Sequence, residues 1–558
     1  MPGRLAVDFG TSNTVVALWD ETQGQGLPIH IPEFGQILRQ GVPSSELSVP
    51  AAEPGVPSPD QGAAGSINGV ETISVIPSLI HYAPDNRTWI GNQVVERGLR
   101  QSNRTFRWMK RYISHRSPLR VRIDGNELTP YTAGQDFLTS VLVFAGQEIG
   151  FRDEEVAFSV PVEAFEHYEN WLTSVAETAG MPRFRLIDEP SAAALGYGAH
   201  IQPGNVYLLF DFGGGTMHAV VVLIEAAETA AGGRRCRVLG KSGRDIGGTT
   251  IDQWIFQDAL RQNHRTDSDA DVRRISTALL VECERVKEAL SFEDYADLSV
   301  VNPETGAALS ASFTRAAFED LLDRHDLYTE INQTVRAAVN AATERGYDEQ
   351  SIQSVLMVGG SSQIPSVQRT LRQMFGRERV RFNRPLDAVA RGAAAFVAGV
   401  DFFDHIQHDY AIRYVNPSKG TYDYRTIIKR GTTYPTREPV AKLAIKASYD
   451  DQKHLGIAIY ELSEQRQRAS TQPVELVFDP SGAARITRLT PDDQEKRAMF
   501  WMNENNQTFL TADPPARRGE ARFEVEFSID ENKRLTITAR DIKTGRLTHK
   551  DYPVVKLT

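Results

Sequence analysis

Cysteine is scarce in this sequence of 558 residues, which contains only Cys236 and Cys283. The two are far apart and form no Cys-x-x-Cys pair, so the sequence predicts neither a structural zinc knuckle nor a disulfide framework. A reducing compartment, and therefore a cytoplasmic location, is expected.

Long apolar runs and an excess of positive charge are also lacking. No run reaches the roughly 18 residues of a transmembrane helix. At the start, Arg4 leads straight into LAVDFG without the pattern of a signal peptide. The chain has 62 Lys and Arg against 72 Asp and Glu, a net charge of −10. We therefore expect no membrane partner and no nucleic acid, because general nucleic-acid binders have a basic surface.

The rest of the composition, with 41% hydrophobic and 24% charged residues, is ordinary for a folded protein. Residues 35–69 are rich in Pro, Ser, Gly and Ala and predict a flexible surface insertion. From 133 to 399, short apolar runs alternate with helical windows, which is typical of α/β proteins. After residue 401, strands with alternating apolar residues dominate. The predicted organisation is an α/β part at 1–400, a linker at 401–408 and a β part at 409–558, with a second loop-rich insertion at 465–515.

The most informative feature is a repeated glycine turn between two apolar strands. Residues 5–18 run from LAV through DFGTSNT into VVAL, and residues 207–223 run from YLLF through DFGGGT to VVVL. Glycine lets the backbone turn tightly and approach a ligand closely. Successive N–H groups in such turns bind phosphate oxygens, and aspartates such as Asp8 and Asp211 can hold a hydrated metal ion.

Two ordinary hairpins are the alternative explanation, and a single Asp-Phe-Gly turn would favour it. Two matched copies favour phosphate binding instead. The sequence contains neither G-x-x-x-x-G-K-[ST] nor G-x-G-x-x-G leading from a strand into a helix, so a P-loop or Rossmann site is not predicted.

A third glycine turn, Gly-Gly-Ser at 359–361, follows an apolar strand, and a helix is predicted over 277–290. On this helix Glu284, Lys287 and Ser291 are spaced i, i+3 and i+7 and share one face. That face could meet the ribose and base of a nucleotide, although a solvated face is the simpler explanation for the helix taken alone.

Together these motifs resemble the heat shock protein 70 family of DnaK-like chaperones, within the actin/hexokinase ATPase superfamily. The matching segments of the α/β part, in order, are VDFGTSNT, FRWMKRYI, FSVPVEAF, LIDEPSAAALGYG, FDFGGGT, DIGGTTID, CERVKEALS, VLMVGGSSQIP and DAVARGAA. The β part adds IIKRGTTYPT and PPARRGEARFEVEFSIDENKRLTITARDIKTG. The resemblance implies an α/β fold: a two-lobed, actin-like ATPase domain followed by an all-β sandwich of the substrate-binding type.

The resemblance also implies a cofactor, ATP or ADP with Mg²⁺, and roles for individual residues. Asp8 and Asp211 match aspartates that hold Mg²⁺ through water. Lys110 matches a lysine that approaches the γ-phosphate, and Glu189 matches the acid that positions the attacking water. A solvated lysine and a carboxylate at a helix start are the alternative explanations for these two. Thr216 joins this catalytic group. The implied nucleotide-binding residues are Gly10, Thr11, Ser12, Asn13, Gly213, Gly214, Gly215, Thr216, Glu284, Lys287, Ser291, Gly359, Gly360 and Ser361.

Four positions depart from the family pattern. His218 stands where the family has an ion-holding aspartate, which puts the dependence on ions in question. Glu288 replaces an arginine that stacks on adenine. Glu169 replaces an arginine that, with Pro161, relays the nucleotide state to the other domain. The interdomain linker reads DFFD at 401–404 and is shorter than the family's leucine-rich form.

The implied function is that of a chaperone that slowly hydrolyses ATP to control its binding of extended polypeptide segments. Ile427, Leu455 and Ile457 are candidate peptide-pocket residues, and the family's apolar arch falls at 419–421. The chain stops just after the β part, so the family's helical lid is expected to be absent, either naturally or by truncation. A J-domain co-chaperone and a nucleotide exchange factor are the implied partners.

Two other functions are compatible with the sequence. One is a nucleotide-gated module that docks a single dedicated partner through the β part. The other is an actin-like filament protein, against which the β part argues. A small-molecule kinase is disfavoured because no separate substrate motif is apparent.

Overall fold

The computed structural model divides by its internal contacts into two compact units, a larger one and a smaller one. The larger consists of Met1–Pro161, Trp171–Phe403 and Val474–Thr487, and the smaller of Val162–Asn170, Asp404–Pro473 and Arg488–Thr558. Most of the predicted linker lies outside the described residues, and the predicted domain boundaries stay predictions. The structure describes residues 3–40, 66–67, 70–150, 154–161, 166–198, 204–226, 234–399, 406, 408–415, 422–430, 432, 434, 436, 438–462, 474–478, 484–488, 499–503, 507–530 and 534–557.

The first half of the larger unit is organised around one mixed sheet. The strands of this half are β1 (Leu5–Phe9), β2 (Asn13–Asp20), β3 (Gln25–Pro28), β4 (Gln36–Gln40), β5 (Ser66–Ile67), β6 (Val70–Pro77), β7 (Ile80–Tyr82), β8 (Thr88–Ile90), β9 (Thr105–Phe106), β10 (Val121–Ile123), β11 (Asn126–Leu128), β12 (Val156–Val160) and β13 (Phe184–Asp188). Of these, β7 to β9 and the pair β10-β11 form two small separate sheets. The helices of this stretch of the chain are α1 (Asn92–Glu96), α2 (Met109–Ser114), α3 (Pro130–Ile149), α4 (Glu166–Thr178) and α5 (Glu189–Gly196).

The strands of this sheet follow the order β13-β12-β1-β2-β6-β4. Strand β1 forms an antiparallel hairpin with β2 and pairs in parallel with β12. The insertion predicted at 35–69 begins later than expected, because Gln36–Gln40 is a strand paired with β6. On one side of this strand the side chains are Gln36, Leu38 and Gln40. Two of these three are polar, so the sequence shows no alternation of apolar residues here. Residues 41–65 of the insertion lie outside the described part of the chain.

The second half of the larger unit repeats this plan. Its strands are β14 (Val206–Phe212), β15 (Met217–Ala226), β16 (Arg234–Arg244), β17 (Tyr295–Val301), β18 (Ala308–Thr314), β19 (Ile352–Val358) and β20 (Val380–Arg381). Its helices are α6 (Gly248–Gln262), α7 (Ala270–Phe292), α8 (Arg315–Arg324), α9 (Leu327–Thr343), α10 (Pro365–Phe375) and α11 (Ala388–Val397).

Here the sheet order is β16-β15-β14-β19-β20. Strand β14 forms an antiparallel hairpin with β15 and pairs in parallel with β19, as β1 does with β2 and β12. The central strands are nearly continuous apolar runs, because helices and neighbouring strands cover both faces. The alanine-rich helices α5 and α11 pack in one buried cluster with side chains from both sheets. The repeated sequence motif therefore corresponds to a repeated supersecondary unit.

The smaller unit consists mainly of antiparallel strands. Sheets of four strands are formed in the orders β22-β21-β25-β28 and β23-β30-β31-β32, and both contribute to one buried cluster. The strands of this region of the chain are β21 (Asp409–Val415), β22 (Tyr422–Ile428), β23 (Ala441–Lys446), β24 (Gln452–Ile457), β25 (Ile459–Leu462), β26 (Val474–Phe478), β27 (Ala484–Arg488), β28 (Met499–Trp501), β29 (Thr508–Ala516), β30 (Ala521–Ile529), β31 (Arg534–Asp541) and β32 (Leu547–Lys556).

Two expectations for this region need correction or comment. The stretch 465–515, predicted to be loop-rich, contains β26, β27, β28 and most of β29 among its described residues. The first three of these strands have only three to five residues, too few to show an alternating period. The candidate pocket residues Ile427, Leu455 and Ile457 are all buried in the core of the smaller unit. The arch position at 419–421 lies outside the described residues. No helix in the described part of the chain is long and apolar enough to span a bilayer.

Candidate functional site

The two glycine turns lie opposite each other. Asp8 lies near the end of β1 and Asp211 near the end of β14. A Cβ atom at Gly214 would lie 2.9 Å from the Ser12 hydroxyl oxygen and 3.3 Å from the Thr11 Cβ. Position 214 therefore has no room for a larger side chain unless Ser12 moves. The other predicted residues of the turns, Gly10, Asn13, Gly213, Gly215 and Thr216, lie in the same loops or in the first residue of β2.

The third glycine turn closes onto the second. Gly359 has a φ of 85°, and a Cβ atom there would lie 2.7 Å from Asp211 Oδ1 and 2.4 Å from the carbonyl carbon of Phe212. Positive φ and close approach both require glycine at this point. Ser361, in the short 3-10 helix that begins at Gly360, donates a hydrogen bond to the Gly213 carbonyl at 2.9 Å.

Helix α7 brings its predicted polar face to the same loops. It covers Ala270–Phe292, longer than the predicted 277–290, and Lys287 lies on it. The Lys287 ammonium lies 2.8 Å from Asp252 Oδ1 and donates to the Gly248 carbonyl at 3.2 Å. A Cβ atom at Gly248 would lie 2.8 Å from the Ser361 hydroxyl and 3.5 Å from the Gly214 Cα. The helix face, the second turn and the third turn therefore converge.

Two other predicted residues of α7 form one distant and one local hydrogen bond. Glu284 accepts a hydrogen bond from Arg100 at 2.8 Å, across 184 positions of sequence. The Ser291 hydroxyl donates a hydrogen bond to the Lys287 carbonyl of the same helix at 3.2 Å.

At the other end of the turns, Lys110 on α2 donates a hydrogen bond to Glu189, the first residue of α5. Both residues are 9% exposed. The Asp188 side chain caps α5 by accepting from the Ser191 N–H at 2.8 Å, which fixes the start of the helix on which Glu189 lies. Because Lys110 is buried, the simpler explanation of a solvated lysine does not describe it. Glu189 is the first residue of α5, so the explanation of a carboxylate at a helix start stays open.

The carboxyl groups of this cluster interact strongly. Burial raises the pKa of Asp8. The positive charge of Lys110 offsets part of this rise, and the negative charge of Glu189 adds to it. Ser159 donates a hydrogen bond to Asp8 at 2.6 Å. Burial also raises the pKa of Asp211 to about 8, with Glu189 as the next contribution. Clustered carboxyls that resist ionisation suit a bound cation, which would stabilise their charged forms. Among the described residues, the structure places no group of three or more His, Cys, Asp or Glu where it could hold a metal ion.

The departures from the family pattern are placed as follows. His218 is 5% exposed and lies directly across the hairpin from Asp211. The Glu288 side chain is accessible to solvent, but many protein atoms lie around its carboxyl group and displace water from it. This desolvation, together with the negative charge of Glu284, raises the pKa of Glu288 to about 6. Glu169 lies in α4, and Pro161 directly follows β12.

Sequence reasoning missed three residues of the site. Asp252, the partner of Lys287, is 1% exposed, and burial raises its pKa to about 7. The motif DIGGTTID ends on this residue and could have drawn attention to it. Ser159, which donates to Asp8, lies in the segment FSVPVEAF, which could have drawn attention to it. Arg100 reaches Glu284 only through tertiary folding, and no motif contains it.

The paired sheets and opposed glycine turns fit an α/β ATPase-type fold. Comparison with known proteins is more specific. The family model described as Hsp70 protein matches residues 60–475, about three quarters of the chain. A relative named chaperone protein DnaK, from Deinococcus proteolyticus, is 28% identical over 502 residues, covering 84% of this chain and 72% of the relative. This chain belongs to the Hsp70 family.

Proposed function

We propose that this protein is an ATP-dependent molecular chaperone. It binds ATP with Mg²⁺ among the three glycine turns and hydrolyses it slowly. The nucleotide state then controls the binding of extended polypeptide segments by the β part. The observation that carries the proposal is the close approach of the Gly214 turn to Thr11 and Ser12. Asp8 and Asp211 lie on the strands β1 and β14 that lead into these two turns.

The phosphates bind to the two opposed turns. Backbone N–H groups of Gly10, Gly214 and Gly215 donate to the phosphate oxygens, and the hydroxyls of Thr11, Ser12 and Thr216 add donors. The Gly213 N–H closes the second turn by donating to the Thr216 carbonyl at 3.1 Å. Asp8 and Asp211 would hold Mg²⁺ through water, and the ion supplies neutralisation of charge on the β- and γ-phosphates. The high pKa that burial gives Asp211 is consistent with this role, because a bound cation would return the group to its ionised form.

The reaction needs positioning and charge balance and no covalent nucleophile. Glu189 accepts a hydrogen bond from the attacking water and fixes its direction toward the γ-phosphorus. Lys110 donates to the γ-phosphate oxygens, exchanging its bond with Glu189 for one with the phosphate. Because α5 is capped by Asp188, Glu189 keeps its place while Lys110 moves.

The nucleoside end of the ligand lies against α7. Lys287, fixed between Asp252 and the Gly248 carbonyl, adjoins the loop that carries Gly214. Further along the same face, Glu284 offers acceptors for the ribose hydroxyls and for amino groups of the base. Gly360 and Ser361 complete this wall.

In the β part, extended polypeptide segments would bind through main-chain hydrogen bonds and apolar pockets. A J-domain co-chaperone and a nucleotide exchange factor would regulate the cycle, and the location would be the cytoplasm. A dedicated partner-binding module with the same ATPase cycle is the rival function.

The test is ATP-dependent refolding of several unrelated denatured enzymes by the full chain, alongside the Lys110→Met variant. The matched control is Arg274→Met, which removes a cation from an exposed pair with Glu304. We expect the unaltered protein and the control to assist all the enzymes and Lys110→Met to assist none. If the unaltered protein and the control hydrolyse ATP normally but assist none of the enzymes, the dedicated module is favoured instead.

A further inference from the structure

One ion pair joins the two halves of the larger unit beside the proposed nucleoside end of the site. Arg100 lies in a short 3-10 helix, Leu99–Gln101, of the first half, and Glu284 lies on α7 of the second half. The Arg100 Nη2 donates to Glu284 Oε2 at 2.8 Å. Only 32% of the Arg100 side chain and 11% of the Glu284 side chain are exposed. Salt therefore screens this pair less than it would screen a pair on the open surface.

The backbone of Arg100 is fixed within its own half. The Thr105 hydroxyl donates to the Leu99 carbonyl at 2.6 Å, and the same hydroxyl lies 2.8 Å from the Nδ1 of His81 on β7. Strand β9, which contains Thr105, pairs with β7. The 3-10 helix is thus anchored to a small sheet, and the Arg100 guanidinium reaches Glu284 from a defined position.

The neighbours of Glu284 on α7 do not orient its carboxylate. Lys287, at i+3, is already committed to Asp252 at 2.8 Å. Glu288, at i+4, has the same charge, and like charges at this spacing repel each other. Within the described part of the chain, the hydrogen bond that the Glu284 carboxylate accepts is the one from Arg100. Arg100 therefore sets the direction of this carboxylate.

The bond from Arg100 engages one oxygen of Glu284 and leaves the second for a ligand. Each oxygen of an ionised carboxylate has two lone pairs, so Glu284 Oε1 can accept a further hydrogen bond. In the proposed complex the ribose lies against this part of α7, and each ribose hydroxyl is an O–H donor. Such a bond to a charged acceptor is stronger than one between neutral groups. A nucleotide without the hydroxyl would leave the oriented acceptor unpaired, which is costly at a site shielded from water.

We propose that Arg100 is a positioning residue that acts through Glu284: it holds the carboxylate toward the ribose, so that the site selects ribonucleotides over 2′-deoxyribonucleotides. Because the two residues belong to different halves of the larger unit, this selection operates only while the halves are together. The inference rests on the proposed function, since it takes the nucleoside to lie against α7.

Two other roles for the ion pair make different predictions. A purely structural link between the halves would affect the binding of ribonucleotides and deoxyribonucleotides equally. An arginine that blocks Glu284 would weaken the selection, so its removal would strengthen it. The ratio of the two affinities therefore separates the three roles.

The test is titration calorimetry of the full chain with ADP and with 2′-deoxy-ADP, both with Mg²⁺. We expect the unaltered protein to bind ADP about tenfold more tightly, because a hydrogen bond to a charged group is lost with the hydroxyl. Arg100→Met should lower this ratio to about two, since the carboxylate is no longer oriented. Arg100→Lys should give an intermediate ratio, because an ammonium group donates without the fixed plane of a guanidinium.

Further variants show whether Arg100 acts through Glu284. Glu284→Gln should lower the ratio as much as Arg100→Met, and the double variant should lower it no further, because effects on one shared interaction do not add. The matched control is Arg104→Met, at an arginine that pairs with Asp124 of the same half, and it should leave the ratio unchanged. Thermal unfolding checks that each variant is folded.

The outcomes separate this inference from the function on which it rests. An unchanged ratio in Arg100→Met would overturn the inference in favour of a structural link, and a raised ratio would overturn it in favour of a blocking arginine. Equal affinities of the unaltered protein for the two nucleotides would also overturn it. These three results leave the proposed function standing, whereas binding of neither nucleotide by the unaltered protein would contradict that function and this inference together.

Discussion

Replacing Lys110 with Met should destabilise the protein strongly even without nucleotide. Lys110 is the cation of a buried cluster that holds Glu189, Asp8 and Asp211, and it lowers the pKa of both aspartates. Removing one partner of a buried ion pair costs about 3–5 kcal/mol, because the remaining charge is left uncompensated. We therefore expect Lys110→Met to lower the free energy of unfolding by about 3–4 kcal/mol.

The double variant separates this charge effect from simple loss of contacts. In Lys110→Met/Glu189→Gln the uncompensated carboxylate is also gone, so the loss should be about 1 kcal/mol, the contribution of one hydrogen bond. With Glu189→Gln measured alone as the fourth member of the cycle, the coupling free energy is about 2–3 kcal/mol plus whatever that single variant costs. The aspartates remain in both variants and cancel in the cycle.

Urea denaturation followed by tryptophan fluorescence measures this cycle. In a Trp501→Phe background the five remaining tryptophans lie in the larger unit, so the signal reports that unit. Arg274→Met, which removes an exposed cation on α7 of the larger unit, is the matched control and should leave the midpoint unchanged. Losses that simply add in the double variant would refute the account of Lys110 as the compensating cation.

Three further predictions follow from the site. Because burial raises the pKa of Asp211 to about 8 from an ordinary value near 3.8, the folded protein binds more protons than the unfolded chain between these values. Stability should therefore fall as pH rises from about 4 to 8. Asp211→Asn should flatten this dependence in melting curves without nucleotide, and an unchanged slope would contradict it. His218 stands across from Asp211 where the family holds an ion. Potassium should therefore stimulate ATP hydrolysis weakly, and His218→Asp should strengthen the stimulation; strong stimulation of the unaltered protein would be contrary evidence. Since crowding raises the pKa of Glu288 to about 6, its ionisation above this pH should repel the nucleotide. ADP affinity should then fall more between pH 5 and 7 than in Glu288→Gln, and parallel profiles from titration calorimetry would exclude the effect.

The local parts of the fold could be predicted from the sequence. The two hairpins and helix α7 follow from apolar periods and glycine turns of short range, and the structure contains them. Cys283, Val286 and Leu290 are buried on α7, as its apolar face requires. The strand at Gln36–Gln40 was missed because its pairing with β6 outweighs a weak local pattern.

The partners within the site could not be predicted. The pairs Arg100–Glu284 and Ser159–Asp8 join positions more than a hundred residues apart, and one sequence carries no signal for such contacts. The burial of Ile427, Leu455 and Ile457 illustrates the same limit, because an alternating strand does not reveal what covers its apolar face.

The most direct test of the central claim is titration calorimetry of the full chain with ATP, in the presence and absence of Mg²⁺. The opposed turns and the paired aspartates predict saturable binding of one ATP that weakens when Mg²⁺ is removed. Asp211→Asn should lose most of this dependence on Mg²⁺ while still binding nucleotide. No detectable binding of ATP or ADP by the unaltered protein at millimolar nucleotide would contradict the account.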